Sequence, residues 1–306
     1  MFELTFLGTS ASAPSIRRGL SSLVVQHDGF RFMIDCGEGT QRQILKSGIG
    51  FKRLNHILLT HGHLDHILGL AGLLSTFLRW EAIEEVNIYG SRHTMERVDD
   101  LINGVVLRHQ KPSVPVNLLD IKPGLIFTSE KFEITAFPVS HRGSASLGFR
   151  FTEFGHRPFI PEAAEALGIP PGPWRKNLVE GKPITLQDGR VIHPDQVLGP
   201  EQPGTNLVVV GDVGKPEKLA EHVQGADGLV IEATYLNDEV EMAEVYGHTT
   251  AERSALLAKE NGVKQLILTH VSRRYRDDDI INEARAVFPN TYLARDFDNY
   301  QIKRDS

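Results

Sequence analysis

Apolar residues form three short runs within the first 37 positions, and turn residues separate these runs. The runs are FELTFLG (2–8), SSLVVQH (21–27) and FRFMIDCG (30–37). Short runs rich in β-branched and aromatic side chains, bounded by Gly, Ser and Asp, are typical of strands. The pattern therefore predicts that the chain begins with β-structure.

From residue 56 onward, strand-like apolar runs alternate with stretches of helical periodicity. The predicted strands are HILLT (56–60), FEITAFPVS (132–140), NLVVVGD (206–212), LVIEAT (229–234) and KQLILTH (264–270). The predicted helices cover residues 66–83, 91–103, 215–224 and 249–260. Strands followed by strand–helix alternation indicate an α/β fold in which two sheets pack together with helices outside them.

Residues 155–204 break this alternation. They include nine of the sixteen prolines and few periodic stretches. Irregular segments of this length are uncommon inside a compact domain and often carry function. We expect an inserted arm with a binding surface, and a solvated surface excursion is the alternative.

Composition narrows the class of protein. The chain has 306 residues, of which 41% are hydrophobic, as in ordinary folded proteins. Its N-terminus lacks the basic region and apolar core of a signal peptide, and its most apolar stretch is about half the ~20 residues that span a bilayer. The single cysteine, Cys36, excludes an intrachain disulfide and a cysteine-based zinc site. We expect a reduced, cytoplasmic protein without a membrane partner.

The net charge of −6 argues weakly against a nucleic-acid partner. Local clusters decide contacts with phosphate, however, and basic residues do cluster. The clusters are Arg17–Arg18, Lys52–Arg53, Arg175–Lys176, and Arg273–Arg274 with Arg276. Each pair by itself is typical of a solvent-exposed face. The clusters indicate phosphate binding only if they surround one site.

The segment LLTHGHLDHILG (58–69) concentrates metal-ligand side chains directly after an apolar strand. Its four candidate ligands are His61, His63, Asp65 and His66. Imidazole and carboxylate groups suit a borderline divalent metal such as zinc. A tight turn can direct His61 and His63 to one metal, and Asp65 and His66 to a second.

Three more candidate ligands follow apolar strands elsewhere in the chain: His141, Asp212 and His270. Strand ends share one rim in layered α/β architectures, so we expect these residues to complete a two-metal site. Asp212 is the expected bridge, because a carboxylate offers two oxygens. Two metals can activate a shared water and stabilise charge at phosphorus, with Asp65 as the proton acceptor. Phosphodiester, ester and lactam substrates all remain open at this point.

The ligand set, in this order along the chain, resembles that of the metallo-β-lactamase superfamily. The resemblance implies a four-layer αβ/βα sandwich over residues 1–306, with 155–204 as an arm inserted in a single domain. It also implies that Asp35 braces the metal loop from behind the ligands.

Four further motifs resemble the ribonuclease Z family, whose members trim tRNA precursors at the 3′ end. They are GTSASAPS (8–15), DCGEGTQRQ (35–43), IEATY (231–235) and YGHTTAERSALLAKENGVKQLILTH (246–270). The resemblance covers nearly the whole chain. It implies a precursor-tRNA substrate, two Zn²⁺ per subunit with Mn²⁺ as the alternative, a homodimer, and no nucleotide cofactor.

Glu232 and His248 are the expected proton donor pair. Thr249 and Glu252 have the spacing of a capping box, which would begin a helix that ends near Asn261–Gly262. His248 would lie just outside that helix, whose positive end attracts phosphate and disfavours imidazolium. A nearby carboxylate restores the charged form, and the family resemblance implies the same pairing with Glu232. An ordinary surface histidine is the alternative.

The arm is expected to grip the tRNA through PPGPWRKNLVEGK (170–182), as the resemblance implies. Arg175, Lys176 and Lys182 would meet phosphates, while Trp174 would either hold the arm together or stack on RNA. Arg18 and Arg273 are the expected RNA contacts outside the arm.

One loop departs from the family pattern. Many relatives have Pro-x-Lys-x-Arg-Asn in a loop linked with the handling of a 3′ CCA sequence, and this chain has PSIRRG (14–19). The lysine and asparagine positions hold Ile16 and Gly19. Whether precursors that contain CCA are rejected, cut after it or never encountered stays open.

Two other functions are alternatives to the endonuclease. A small-substrate phosphodiesterase or thioester hydrolase would share the metals and have no use for the arm. A catalytically inactive RNA-binding module would not need the complete ligand set.

Overall fold

The structure is a computed structural model, and it describes residues 1–79 and 83–304. The chain divides into two compact units. One comprises Met1–Thr152 and Thr205–Ser306 and is called the catalytic unit below. The other, Glu153–Gly204, is called the arm.

The strands of the catalytic unit are short, with two exceptions of ten residues. In chain order they are β1 (Phe2–Gly8), β2 (Ser22–His27), β3 (Phe30–Ile34), β4 (His56–Leu58), β5 (Val86–Gly90), β6 (Val116–Asp120), β7 (Gly124–Thr128), β8 (Phe132–His141) and β9 (Ser144–Glu153, which ends in the arm's first residue). The arm contributes β10 (Ile184–Thr185) and β11 (Val191–Ile192). The catalytic unit resumes with β12 (Asn206–Val209), β13 (Gly228–Glu232), β14 (Gln265–Thr269), β15 (Thr291–Leu293) and β16 (Asn299–Ile302).

The helices are also short. They are α1 (Thr40–Ser47), α2 (Leu64–Ile67), α3 (Gly69–Phe77), α4 (Arg92–Asp99), α5 (Pro161–Ala166), α6 (Pro173–Val179), α7 (Ala220–Val223), α8 (Val240–Tyr246), α9 (Ala251–Glu260) and α10 (Asp277–Val287). A π-helical segment, Asp100–Val106, extends α4, and 3₁₀ turns occupy Pro194–Gln196, Pro216–Leu219 and Asn237–Glu239. Within the described residues, no helix combines the length and apolar character that crossing a membrane requires.

Two seven-stranded sheets form the centre of the catalytic unit. Their strand orders are β16-β1-β2-β3-β4-β5-β6 and β15-β14-β13-β12-β9-β8-β7. In the first sheet, β3 to β6 are parallel neighbours. In the second sheet, β12 to β15 are parallel neighbours. Parallel strands end at a common edge, so the loops after β4, β12, β13 and β14 are the ones expected to carry a site.

Three buried apolar clusters hold the catalytic unit together. Phe6 and Phe32 of the first sheet and Phe149 and Ile267 of the second share the cluster between the sheets. A second cluster packs α9 and α10 on the outer face of the second sheet. A third packs α1, α3 and α4 on the outer face of the first sheet. The layers are therefore helix, sheet, sheet and helix, which confirms the predicted αβ/βα fold class.

The arm has its own small core. Its members are apolar side chains of α5, α6, the β10–β11 hairpin and the following turn, namely Ala164, Ile169, Leu178, Ile184, Ile192, Val197 and Leu198. The two ends of the arm run side by side, because His156 and Gln202 exchange backbone hydrogen bonds. The irregular, proline-rich composition therefore folds into a compact unit with little regular structure.

The predicted elements are found with shifted boundaries. The predicted helix 66–83 is the pair α2 and α3, and its residues 80–82 lie outside the described residues. The helix predicted at 91–103 continues as a π-helical segment, and the one at 215–224 is a 3₁₀ turn followed by α7. The five strands predicted after residue 55 correspond to β4, β8, β12, β13 and β14.

Candidate active site

Four side chains converge near the ends of β4, β8 and β12: His61, His63, His141 and Asp212. Nδ1 of His63 lies 2.9 Å from Nε2 of His61 and 3.2 Å from Nε2 of His141. Oδ2 of Asp212 lies 3.6 Å from Nε2 of His61 and 3.7 Å from Nε2 of His141. Four ligand atoms therefore lie within 4.8 Å of one another, and four is the number that a zinc site commonly uses.

A second group adjoins the first and consists of Asp65, His66 and His270. Oδ1 of Asp212 lies 3.4 Å from Nε2 of His66 and 3.3 Å from Nε2 of His270. Oδ2 of Asp65 lies 3.7 Å and 3.5 Å from the same two nitrogens. The structure thus brings all seven sequence-predicted ligands together, and each carboxylate oxygen of Asp212 faces one of the two groups.

Hydrogen bonds on the outer side orient four of the histidines. Nδ1 of His61 lies 3.0 Å from Thr60 Oγ1, and Nδ1 of His66 lies 2.7 Å from Asp35 Oδ2. Nδ1 of His141 lies 2.6 Å from the Gly247 carbonyl oxygen, and Nδ1 of His270 lies 2.9 Å from Thr234 Oγ1. When Nδ1 donates outward, Nε2 carries the lone pair that points inward. Partners of this kind set the tautomer and the ring orientation of metal-binding histidines.

The buried atoms of the second group test whether a cation fits. Nε2 of His66, Nε2 of His270 and Oδ1 of Asp212 are buried and have no hydrogen-bond partner among the described residues. Buried polar atoms are almost always paired, because an unpaired one costs about 1–3 kcal/mol. Since all three face the same point, a divalent cation satisfies them together. The residues can therefore hold metal ions.

Protonation of the site follows from burial and charge. Burial lowers the pKa of His61, His63 and His141, so these imidazoles are neutral and their lone pairs are free. Burial acts against the ionised Asp212, but the imidazoles of His270 and His66 hold the pKa of its carboxyl well below the usual range. The Asp212 carboxylate is therefore ionised, as a cation ligand must be.

Asp35 braces the metal loop, as the resemblance implies. Its Oδ1 accepts from Thr60 N at 2.8 Å, and its Oδ2 accepts from Thr60 Oγ1 at 2.8 Å and faces His66 Nδ1. Its φ of 58° lies in the left-handed region, a strained conformation for a residue other than glycine. Such strain persists only where the surroundings hold it, which is consistent with a supporting role.

Two further clamps had no signal in the sequence. Nη1 of Arg97, on α4, donates to the carbonyl oxygen of Gly62 at 2.6 Å, between the ligands His61 and His63. The backbone N–H of Ser12 donates to Oδ2 of Asp65 at 3.0 Å. Both contacts join segments more than thirty residues apart in the chain, which is why local pattern reading could not identify them.

Glu232 and His248 lie together beside the two ligand groups. Nδ1 of His248 is 3.1 Å from each carboxylate oxygen of Glu232. Glu232 is fully buried, and it also accepts from Val213 N at 2.6 Å and from the Thr234 hydroxyl. Burial by itself would lower the pKa of His248, but the Glu232 carboxylate raises it to about 9. His248 is therefore an imidazolium at neutral pH.

The capping prediction for the helix after His248 is wrong by one residue. The N-cap of α9 is Thr250, whose Oγ1 accepts from Arg253 N, while Thr249 Oγ1 is buried without a hydrogen-bond partner among the described residues. The N–H of Glu252 donates to Oε1 of Glu283 on α10. A tertiary carboxylate thus takes part in the cap, so the sequence spacing alone was misleading. The predicted helix end is observed, with Asn261 as C-cap and Gly262 at a φ of 65°.

Arg18 and Arg273, both predicted to contact RNA, lie in different environments. Arg18 is only 9% exposed, and its guanidinium donates to Thr9 Oγ1, the Ala294 carbonyl oxygen and Asp277. Arg273 is exposed on the wall of a groove of about 1000 Å³, which starts beside Val271, the residue after His270. Arg17, Arg276 and Arg295 line the same groove. Arg18 holds the loop that forms one wall, whereas Arg273 faces solvent.

The three basic residues of the arm that are predicted to bind RNA also differ in their exposure to solvent. Arg175 donates to the Ile169 carbonyl oxygen at 3.0 Å, and its guanidinium lies over the Phe159 ring, 5.5 Å from its centroid. Lys176 and Lys182 are exposed, and both pair with Glu180, with N–O distances of 3.5 and 2.8 Å. The lysines are therefore accessible, while Arg175 is engaged within the arm.

The two sheets with their outer helices define a protein of the metallo-β-lactamase fold, and its two ligand groups could hold metal ions. The protein YhfI from Bacillus subtilis, described as a metallo-beta-lactamase fold protein, superposes with a TM-score of 0.70 at 18% identity, covering 98% of each chain. Human tRNase Z, short form, superposes with a TM-score of 0.69 at 26% identity, covering 99% of this chain and 100% of the human one.

Sequence comparison gives the particular family. The ribonuclease Z of Bradyrhizobium sp. (strain ORS 278) is 46% identical over 302 residues, which are 99% of this chain and 100% of the relative. That of Geobacillus kaustophilus (strain HTA426) is 38% identical over 311 residues, with 99% of both chains covered. A family model described as "Anti-Pycsar protein Apyc1" matches residues 2–160. The chain belongs to the ribonuclease Z family over its whole length, and to the family of that model over residues 2–160. It is an endoribonuclease that hydrolyses phosphodiester bonds.

Proposed function

We propose that this protein removes 3′ trailers from tRNA precursors, cutting after or near the discriminator nucleotide. The products are a tRNA with a 3′ hydroxyl and a trailer with a 5′ phosphate. The observation that carries the proposal is the buried Glu232–His248 pair beside the His/Asp centre in a member of the ribonuclease Z family. The names of the relatives support tRNA as the RNA.

The seven ligands would hold two Zn²⁺ per subunit, with Mn²⁺ as the alternative. Five imidazoles and two carboxylates form a donor set that favours zinc over magnesium or calcium, which prefer oxygen ligands. When bound, the ions supply an activated water and stabilise the charge that develops at phosphorus. The convergence of unpaired buried atoms supports their presence in the second group.

Asp65 is the proposed proton acceptor. Burial acts to raise the pKa of the Asp65 carboxyl, but the imidazoles of His270 and His66 lower this pKa by more, so the group is ionised at neutral pH. The Ser12 N–H holds one oxygen of this carboxylate in place. An ionised, oriented carboxylate at the edge of the ligand groups can take the proton that the attacking water loses.

His248 is the proposed proton donor to the leaving group. Breaking the bond between phosphorus and the ribose 3′ oxygen releases an alkoxide, which leaves faster when it is protonated. The imidazolium stays charged because Glu232 faces it from a fully buried position. After donation, the proton lies on the 3′ hydroxyl of the tRNA, and the water oxygen becomes part of the 5′ phosphate of the trailer.

The RNA would be held by exposed cations in both units. Arg273 and its neighbours in the groove beside His270, and Lys176 and Lys182 of the arm, can contact phosphates without reading bases. Arg18 and Arg175 support these surfaces from within. We further propose a cytoplasmic homodimer in which the arm of one subunit presents tRNA to the metal centre of its partner, as the family resemblance implies.

Mapping of product ends tests the proposal. The purified protein with Zn²⁺ is incubated with 3′-extended tRNA precursors with and without CCA, and both product ends are sequenced. We expect one cut near the discriminator, with a 3′ hydroxyl upstream and a 5′ phosphate downstream. Cyclic phosphate ends, or trimming nucleotide by nucleotide, would contradict the mechanism, and hydrolysis of small diesters only would favour the rival phosphodiesterase.

A further inference from the structure

Trp174 is the most exposed aromatic residue among the described residues of the arm, and the arm's core does not use it. It lies in the first turn of α6, and 52% of it is exposed. The core of the arm is built from seven aliphatic residues, with Phe159 packed against them, and excludes Trp174. The sequence left open whether this side chain holds the arm together. The structure shows that it does not pack in that core.

A pocket of about 450 Å³ lies beside the Trp174 ring. Gly168 and Pro170 line it with Trp174, and the turn of the β10–β11 hairpin, from Thr185 to Arg190, lines the remainder. Backbone hydrogen bonds from Leu186 to Arg190 and from Gly189 to Leu186 close that turn. The volume lies within the usual range for small-ligand pockets. The pocket is therefore bounded by ordered backbone within the arm.

The charge around Trp174 is positive. Residues 172–192 contain four Lys or Arg and two acidic residues. The side chains of Lys176 and Lys182 are 79% and 68% exposed. Arg175 is directed elsewhere, over Phe159. Both lysines pair with Glu180, and their side chains remain largely exposed to solvent. An exposed indole in a segment with accessible ammonium groups is the combination that single-stranded nucleic acid recognises, because a base stacks on the ring while phosphates meet the cations.

We propose that Trp174 is a stacking platform for an unpaired nucleobase of the RNA substrate, received in the pocket between α6 and the β10–β11 turn. Thr185 and Gln187, both exposed on the pocket wall, supply hydrogen-bonding groups for the base edge. The inference deepens the proposed function and rests on it. It assigns to the arm a contact with a base in addition to contacts with phosphates.

Three variants of α6 separate stacking from other effects. Trp174→Ala removes the ring, Trp174→Phe keeps an aromatic face, and Val179→Ala is the matched control because Val179 is equally exposed on the same helix. We expect Trp174→Ala to raise KM for precursor tRNA about five- to fifty-fold with little change in kcat, and Trp174→Phe to restore most of the loss. Hydrolysis of bis(p-nitrophenyl) phosphate should be equal in all three.

Fluorescence gives a direct readout in the whole enzyme. Trp80 is the second of the two tryptophans, so Trp80→Phe leaves Trp174 as the sole indole. We expect precursor tRNA to quench this emission, and a blunt, fully paired RNA duplex bound to the same extent to leave it unchanged. Equal quenching by the duplex, or an unchanged KM for Trp174→Ala, would overturn the proposal. If the unsubstituted enzyme hydrolyses bis(p-nitrophenyl) phosphate but cuts no precursor tRNA, the proposed function itself is wrong.

Discussion

His248 keeps its proton at neutral pH because Glu232 faces it from a site that solvent does not reach. Other side chains of the site are also held in place by single hydrogen bonds. Thr234 contacts both Glu232 and His270, so one hydroxyl links the proposed proton donor pair to a proposed metal ligand. Small changes at such residues should therefore alter chemistry more than folding.

Removing the imidazole of His248 should slow substrates according to their leaving group. General acid catalysis contributes about 10²- to 10⁴-fold, so we expect His248→Ala to slow precursor-tRNA cleavage by at least about a hundredfold. Hydrolysis of bis(p-nitrophenyl) phosphate should change little, because nitrophenolate leaves without a proton. Single-turnover rates with both substrates provide the measurement, and equal losses on both would count against the acid role.

The pH dependence of precursor-tRNA cleavage should also show that His248 acts as the proton donor. The pKa of His248 is raised to about 9, so the imidazolium predominates below that pH and is lost above it. We expect precursor-tRNA cleavage to fall as pH rises through about 9. The bis(p-nitrophenyl) phosphate rate of the same enzyme, measured in parallel, should lack this fall. A fall of the same size for both substrates would show that another group is responsible.

Arg97 should matter for metal affinity although it is not a predicted ligand. Its guanidinium holds the Gly62 carbonyl between two histidine ligands. Loss of such outer contacts typically costs about 10- to 100-fold in metal affinity or activity, and we expect this for Arg97→Met. Arg92→Met is the control, because Arg92 lies on the same helix with its side chain 83% exposed. Competition with a chromophoric zinc chelator measures both, and equal affinities would refute the clamp.

At the scale of elements, three sets of hydrogen bonds hold the segment between β13 and α9, which includes α8. Thr250 caps α9, Glu283 of α10 accepts from the N–H groups of Asn237 and Glu252, and Ser254 Oγ donates to the Glu232 carbonyl oxygen. These bonds determine where His248 stands relative to Glu232. The capping prediction named Thr249 because the spacing of threonine and glutamate was the only information in the sequence, whereas the carboxylate that completes the cap comes from α10.

Neighbouring threonines allow a test of the cap. Thr250→Val removes an N-cap oxygen, and we expect the free energy of unfolding to fall by about 1 kcal/mol. Thr249→Val removes a hydroxyl that has no hydrogen-bond partner among the described residues, so it should be neutral or stabilising. Urea unfolding at fixed zinc concentration compares the two isosteric changes. A larger loss for Thr249→Val would restore the original capping prediction.

At the scale of the whole molecule, the proposed metal ligands all belong to the catalytic unit, and the arm is a second compact unit. β9 and β12 pair antiparallel up to Thr152 and Asn206, and the arm's ends pair at His156 and Gln202. Chain ends this close allow a segment to be exchanged without stretching the rest. The catalytic unit can therefore be examined without the arm.

Replacing residues 155–203 by a short glycine-rich turn should separate the two activities. We expect the variant to bind zinc and hydrolyse bis(p-nitrophenyl) phosphate at nearly the original rate, because the ligands belong to the catalytic unit. Precursor-tRNA cleavage should collapse, because the arm's cations and Trp174 are gone. The matched control is Lys176→Ala/Lys182→Ala, which should weaken tRNA binding and its salt dependence only in part. Unchanged tRNA cleavage by the shortened chain would refute the arm's role.

The sequence by itself determined the fold class, eight of the sixteen strands and the identities of the residues that converge, because strand periodicity and the chemistry of histidine and aspartate at strand ends are local properties. It also carried the family, through motifs spread over its length. Only the tertiary structure decided that each oxygen of Asp212 faces a different ligand group, that Arg18 is internal, that Thr250 is the cap and that Trp174 is exposed. The physical reason is that side-chain direction and burial depend on contacts between residues far apart in the chain, and local pattern does not encode them.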